Sequence, residues 1–207
     1  MIWLYRFPRS TNVERVALAL AHKGLETRSI EIDPEDRTEV RRVSGQDLVP
    51  VIVDAGHGDR VVCDSMEIVR YLEERFPEKP LYPRDPARRT EMLIFIDWFN
   101  RVWKRPPNFI YTERRKAEPD RVLIDASARE TAAALDLFEQ MLSGRDYLMG
   151  DELSAADCAA FPFLKFAALR DGDLHPFHRI LVETQPLGTA HARLAAWIRR
   201  VDEHPRA

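Results

Sequence analysis

At 207 residues, 45% hydrophobic and 31% charged, the chain reads as a globular protein with enough apolar mass for one large domain or two small ones. Its net charge of −3 argues against a general binder of nucleic acid or anionic membrane, which needs a basic surplus to recruit phosphates. No apolar run approaches the ~18 residues of a membrane-spanning helix, and MIWLYRFPRS lacks a secretory leader's apolar stretch and cleavage site, so a cytoplasmic protein is expected.

The first part of the chain alternates strand-like and helix-like segments. Residues 2–5 (IWLY) are a short apolar strand, and Val13, Val16, Ala17, Leu20 and Ala21 then follow helical spacing up to Lys23-Gly24, a cation and a glycine suited to a helix end. Residues 27–32 alternate as a half-buried strand, and DPEDRTEVRRVSG carries a helical turn. Residues 49–54 and 60–63 flank AGHGD, a hairpin turn, and DSMEIVRYLEERFP is a helix ended by Pro77.

A proline-rich stretch, PEKPLYPRDP, reads as a stiff linker. Beyond it nearly every segment is helical: 88–103, broken or bent at Pro106-Pro107; 120–142; 154–169, kinked at Pro162; and 189–201. The expected organisation is an α/β domain over residues 1–77, a linker over 78–87 and an all-α domain over 88–207. Cys63 and Cys158 stand far apart in apolar settings, as small hydrophobes rather than a disulfide pair. The motif H-P-F-H, with His175 and His178, is placed in a loop, and no metal site is expected from so sparse a set.

Four local patterns carry chemistry. Val49-Pro50 opens a strand and is a candidate cis peptide. Asp64-Ser65-Met66-Glu67 has the form of a capping box and puts Ser65 at a helix N-terminus, where backbone N–H groups and the dipole attract carboxylates. Ser154-x-x-Asp157, between Leu153 and Cys158, is a second capping box with its hydrophobic staple. Thr11-x-x-Glu14 is a third; it caps the first helix by itself and leaves the Ser10 hydroxyl spare beside the helix's positive end.

In this order and spacing the motifs resemble the glutathione S-transferase superfamily over essentially the whole chain. The resemblance implies a thioredoxin-like first domain and a helical second domain. It implies that glutathione is the co-substrate, that Val49 pairs its backbone with the cysteinyl part beside a cis Pro50, and that Asp64 and Ser65 hold the γ-glutamyl end. Ser10, five residues before Arg15, stands where serine-type members place their active residue, with Tyr5 as the competing candidate. Leu48 replaces the Gln or Lys common before the V-P dipeptide, and Ser44-Gly45 replaces Asn-Pro, so the thiol is either glutathione or another low-molecular-weight thiol.

The positions of a redox CxxC pair read Ser10 and Val13, which excludes dithiol exchange. What remains is activation of a thiol for addition to, or isomerisation of, a small electrophile. The electrophile pocket is expected along WFNRVWKRPPN between the domains, with Trp98, Phe99, Trp103 and the Pro106-Pro107 bend as wall, Asn100, Arg101, Lys104 and Asn108 as polar selectors, and Tyr5 from the first domain; core packing or a dimer interface is the alternative for the aromatics. The resemblance also implies a homodimer. A non-catalytic protein-binding module of the same fold is the competing reading, and Leu48 is the residue that encourages it.

Overall fold

The computed structural model describes residues 1–169 and 175–207, which divide into two compact units: Met1–Pro83 with Glu203–Ala207, and Arg84–Asp202. The last five residues, grouped with the helical domain in the sequence reading, thus belong to the first unit.

The first unit is built on a four-stranded sheet of β1 (Ile2–Arg6), β2 (Thr27–Glu31), β3 (Val51–Asp54) and β4 (Arg60–Cys63), in the order β2-β1-β3-β4. β1 runs parallel to β2 and antiparallel to β3, with Tyr5 opposite both Ile30 and Val51. The parallel pair needs a crossover, and α1 (Thr11–Lys23) supplies it. Gly24 ends α1 at φ 67°, and its N–H bonds the carbonyls of Ala21 and Leu20. α2 (Thr38–Ser44) and α3 (Ser65–Arg75) complete the unit. Leu4, Val16, Leu20, Ile52, Ile68 and Leu72 are fully buried and form its core.

The β3–β4 hairpin is latched by a buried carboxylate. Asp54, 1% exposed, accepts the Gly56 N–H at 3.1 Å and the Tyr71 hydroxyl at 2.8 Å, and its other contact is His57 Nδ1 at 2.6 Å. Burial and then the bond to Asp54 push the Tyr71 phenol up to about 12.

The second unit is helical: α4 (Pro86–Trp98), α5 (Arg105–Glu113), α6 (Arg121–Met141), α7 (Ala155–Leu164), α8 (Pro176–Thr184) and α9 (Ala192–Asp202). α4 passes into a π-helical turn over Phe99–Trp103 and then into α5. Pro106 and Pro107 therefore do not break a helix; they occupy the first turn of α5, where a missing N–H costs least. α8 corrects the loop reading of H-P-F-H: His175 caps it by accepting the Phe177 N–H at 3.2 Å, Pro176 is its first residue, and His178 is buried against Phe166. The Ser154/Asp157 capping box is present on both sides. Asp157, fully buried, also accepts from Leu148 N and Trp197 Nε1 at 2.9 and 2.7 Å. Burial raises its pKa, while those four donors pull it back.

Candidate active site

Ser10 is the N-cap of α1. Its backbone is extended, and its Oγ accepts the Val13 N–H at 3.3 Å. This corrects the expectation that Thr11 does the capping. Thr11 is instead the first helical residue, 8% exposed, and Glu14 lies beyond the box position, paired with Arg206 at 3.2 Å. Among the described residues the serine hydroxyl is employed only as an acceptor, which leaves its hydrogen to donate. A sulfur at this point would meet that hydrogen together with the positive end of a helix of 13 residues.

Tyr5, the competing candidate, is 3% exposed in the sheet. Burial first, and then Glu39 on α2, raise its phenol pKa, with Arg42 offsetting part of the effect. Almost none of its surface is open to a ligand.

The Val49-Pro50 peptide is cis. Val49 is 9% exposed, and among the described residues its backbone N–H and C=O have no hydrogen-bond partner. Nearly buried backbone groups are rarely left in that state, and an extended ligand laid beside them would satisfy both. Leu48, next in line, is 72% exposed.

Asp64 takes φ 67° and ψ 130°, a backbone conformation that costs an L-residue on the order of 1–3 kcal/mol. Its carboxylate accepts the Met66 and Glu67 N–H groups at 2.8 and 3.3 Å and so caps α3. The Glu67 carboxylate pairs with Arg70. Ser65, the first residue of α3, is 5% exposed, and its Oγ accepts a hydrogen bond from Arg15 Nη1 at 3.3 Å. This bond is buried and joins α1 to the head of α3, so the helix that Ser10 caps and the one Asp64 caps are tied together.

Arg15 served the sequence reading only as a spacing marker. The signal that could have promoted it is its position: a cation in the middle of VERVALAL, on a helix buried from Arg15 through Leu20. Neither the unpaired Val49 backbone nor the conformation of Asp64 has a one-residue signature.

The residues expected to wall an electrophile pocket separate in the second unit. Trp103 is 3% exposed and stacks on Phe99 with ring centroids 4.5 Å apart, edge-on to Phe138 and Phe163; it is core, not wall. Trp98 packs on Phe95 and Phe138. Arg101 is exposed and paired with Asp97 at 2.6 Å. Of the expected polar selectors, Asn100, Lys104 and Asn108 line an open depression of about 650 Å³, with Arg105, Phe109 and Glu130. Asn108 Nδ2 donates to the Lys104 carbonyl at 2.7 Å, which leaves its side-chain oxygen for other partners.

The family model described as "Glutathione S-transferase, N-terminal domain" matches residues 4–80, and "Glutathione S-transferase, C-terminal domain" matches 121–200. The chain is 31% identical over 170 residues to FtsZ-localized protein A of Caulobacter vibrioides, covering 76% of this chain and 73% of that one. It is 30% identical over 171 residues to glutathione S-transferase GstB of Escherichia coli K12, covering 79% and 82%. A crystal structure of a glutathione S-transferase from Rhodospirillum rubrum F11 superposes with a TM-score of 0.75 at 26% identity, over 99% of this chain and 89% of that one.

Proposed function

Because the chain belongs to the glutathione S-transferase superfamily, we propose that it activates the thiol of glutathione for attack on a small electrophile. The observation that carries this reading is the Val49 backbone: nearly buried, beside a cis proline, with an N–H and a C=O that no described residue pairs. The cysteinyl part of an extended γ-glutamyl peptide satisfies both groups at once, as an added strand does.

In this reading Asp64 and Ser65 take the γ-glutamyl end at the head of α3, and Ser10 meets the sulfur. A free thiol titrates near ~8.5, so most of it is protonated at neutral pH and unreactive. The Ser10 hydroxyl donates to the sulfur and the N-terminus of α1 adds its dipole; both favour the anion. The thiol proton leaves to solvent. The thiolate then forms a carbon–sulfur bond, and the electrophile either expels its leaving group with the bonding pair or takes up a proton after conjugate addition; an isomerisation adds and then expels the same thiol. Tyr5 is too deeply buried for the sulfur contact. A homodimer and a cytoplasmic location follow from the same family reading, and sedimentation at micromolar protein tests the first.

Retention on immobilised glutathione, with turnover lost in Ser10→Ala while the fold is kept, supports this function; a wild type that neither binds glutathione nor accelerates any thiol addition removes it. A second reading rests on Leu48 and on the likeness to a protein named for its localisation by FtsZ. There the fold serves as a protein-binding module, and the 72% exposed Leu48 is part of its contact surface. Partner capture that persists in excess glutathione and in Ser10→Ala favours that module over the enzyme.

A further inference from the structure

Glu14 has no capping work to do, since Ser10 caps α1 and the third helical residue is Val13. Its carboxylate instead meets Arg206, 192 residues further along the chain, with Nη2 at 3.2 Å from Oε1. The contact is sheltered: the two side chains are 24% and 16% exposed. The segment that brings Arg206 there is held through Ala207 and by a bond of its own. The Ala207 N–H donates to the Ala17 carbonyl at 3.2 Å, Arg6 Nη1 on β1 donates to the Ala207 carbonyl at 3.3 Å, and Arg206 Nη1 donates to the His204 carbonyl.

Glu14 lies four residues after Ser10, about 6 Å along the helix axis. A carboxylate that close to a bound sulfur opposes its ionisation, and a guanidinium held against that carboxylate cancels the opposition. We propose that Arg206 is a positioning residue for thiol activation: it holds and neutralises Glu14 in the first turn of α1, so that a thiol seated at Ser10 ionises more readily. The assignment rests on the proposed function for its purpose, but not for its test. Other charged or titratable groups on α1 and the elements against it include Arg15, His22 and Lys23 in α1, Asp64, Glu67, Arg70, Glu73, Glu74 and Arg75 at and along α3, Arg6 on β1, Arg9 in the preceding turn and His204 beside Arg206; the test changes none of them.

The test places the thiol on the protein. Ser10→Cys is made alone and combined with Arg206→Ala, Arg206→Lys, Glu14→Gln, and Glu14→Gln with Arg206→Ala, and the rate of alkylation at position 10 by iodoacetamide is followed against pH by peptide mass spectrometry. Removing one charge at about this distance in a solvated setting moves a pKa by about half a unit. Arg206→Ala should therefore raise the thiol pKa by about half a unit and slow alkylation at neutral pH about threefold. Arg206→Lys should restore it, and the double change should return close to the parent, because both charges are gone. A merely structural tail gives no rescue by lysine and no cancellation in the double variant. An unchanged pKa in Arg206→Ala, or a rise that Glu14→Gln does not cancel, overturns the proposal. Failure of glutathione to bind the wild type removes the proposed function and leaves this result standing.

Discussion

In the proposed function Ser10 carries two jobs in one oxygen, the observed cap of α1 and the contact to sulfur, and substitution can separate them. Alanine removes the cap and the hydroxyl together, costing about 1 kcal/mol of stability, whereas glycine costs only a few tenths at an N-cap. Ser10→Gly should therefore keep its urea midpoint near wild type while thiol-addition kcat falls on the order of a hundredfold, the usual loss for one transition-state donor. Near wild-type turnover in Ser10→Gly, with the loss confined to the destabilised Ser10→Ala, would mean that the cap, not the hydroxyl, matters. His22, on the same helix, makes a pH prediction. Burial first, then Lys23 and His204, lower its pKa below the ordinary 6.5. The unfolded chain therefore binds a proton at a higher pH than the folded one, and stability falls as pH drops from 6.5 through the lowered value. His22→Gln should flatten the difference in urea midpoint between about pH 7.5 and about pH 5.5; an unchanged slope would show that another group governs it.

α7 shows how one acid organises several elements. Asp157 Oδ1 accepts from Leu148 and Trp197, and Oδ2 accepts from the backbone and hydroxyl of Ser154, so α7, α9 and the loop before α7 meet on one carboxylate. Asp157→Ala would strand those donors in the core and should cost about 3–5 kcal/mol in urea unfolding; Asp157→Asn keeps one acceptor oxygen and should cost roughly half as much. This capping box was legible in Ser154-x-x-Asp157 because both of its bonds are local. The one expected at Thr11-x-x-Glu14 was not correctly placed, because two polar residues stood at one helix start and the partner that claims Glu14 lies in the tail. α8 escaped for a related reason: the sequence around its start reads as a loop, yet Pro176 is at home in a first turn and His175 caps it.

Across the whole molecule, the division into an α/β unit and a helical unit followed from the change in periodicity near residue 80, since period-2 and 3.6 patterns are local. Where the last five residues go was not legible, because Arg6, Glu14 and Ala17 are the partners that draw them to the first unit and none is near them in sequence. The candidate site divides the same way. The cis Val49-Pro50 peptide and the Asp64 cap were readable as short patterns, while the Ser10 cap was assigned to its neighbour and the Arg15–Ser65 bond that ties α1 to α3 spans 50 residues. The aromatic stretch misled because a stripe of large rings fits a core as well as a pocket; stacking of Phe99 on Trp103 decides for the core.

The central claim is that this first unit lowers the pKa of a bound thiol through Ser10. Titrating the thiolate absorbance of glutathione bound to wild type and to Ser10→Gly measures it directly. The account predicts a thiol pKa one to two units below the free value of ~8.5 in the wild type, and most of that shift lost without the hydroxyl. A bound thiol that titrates at its free value in the wild type, or one equally acidic in Ser10→Gly, would contradict it.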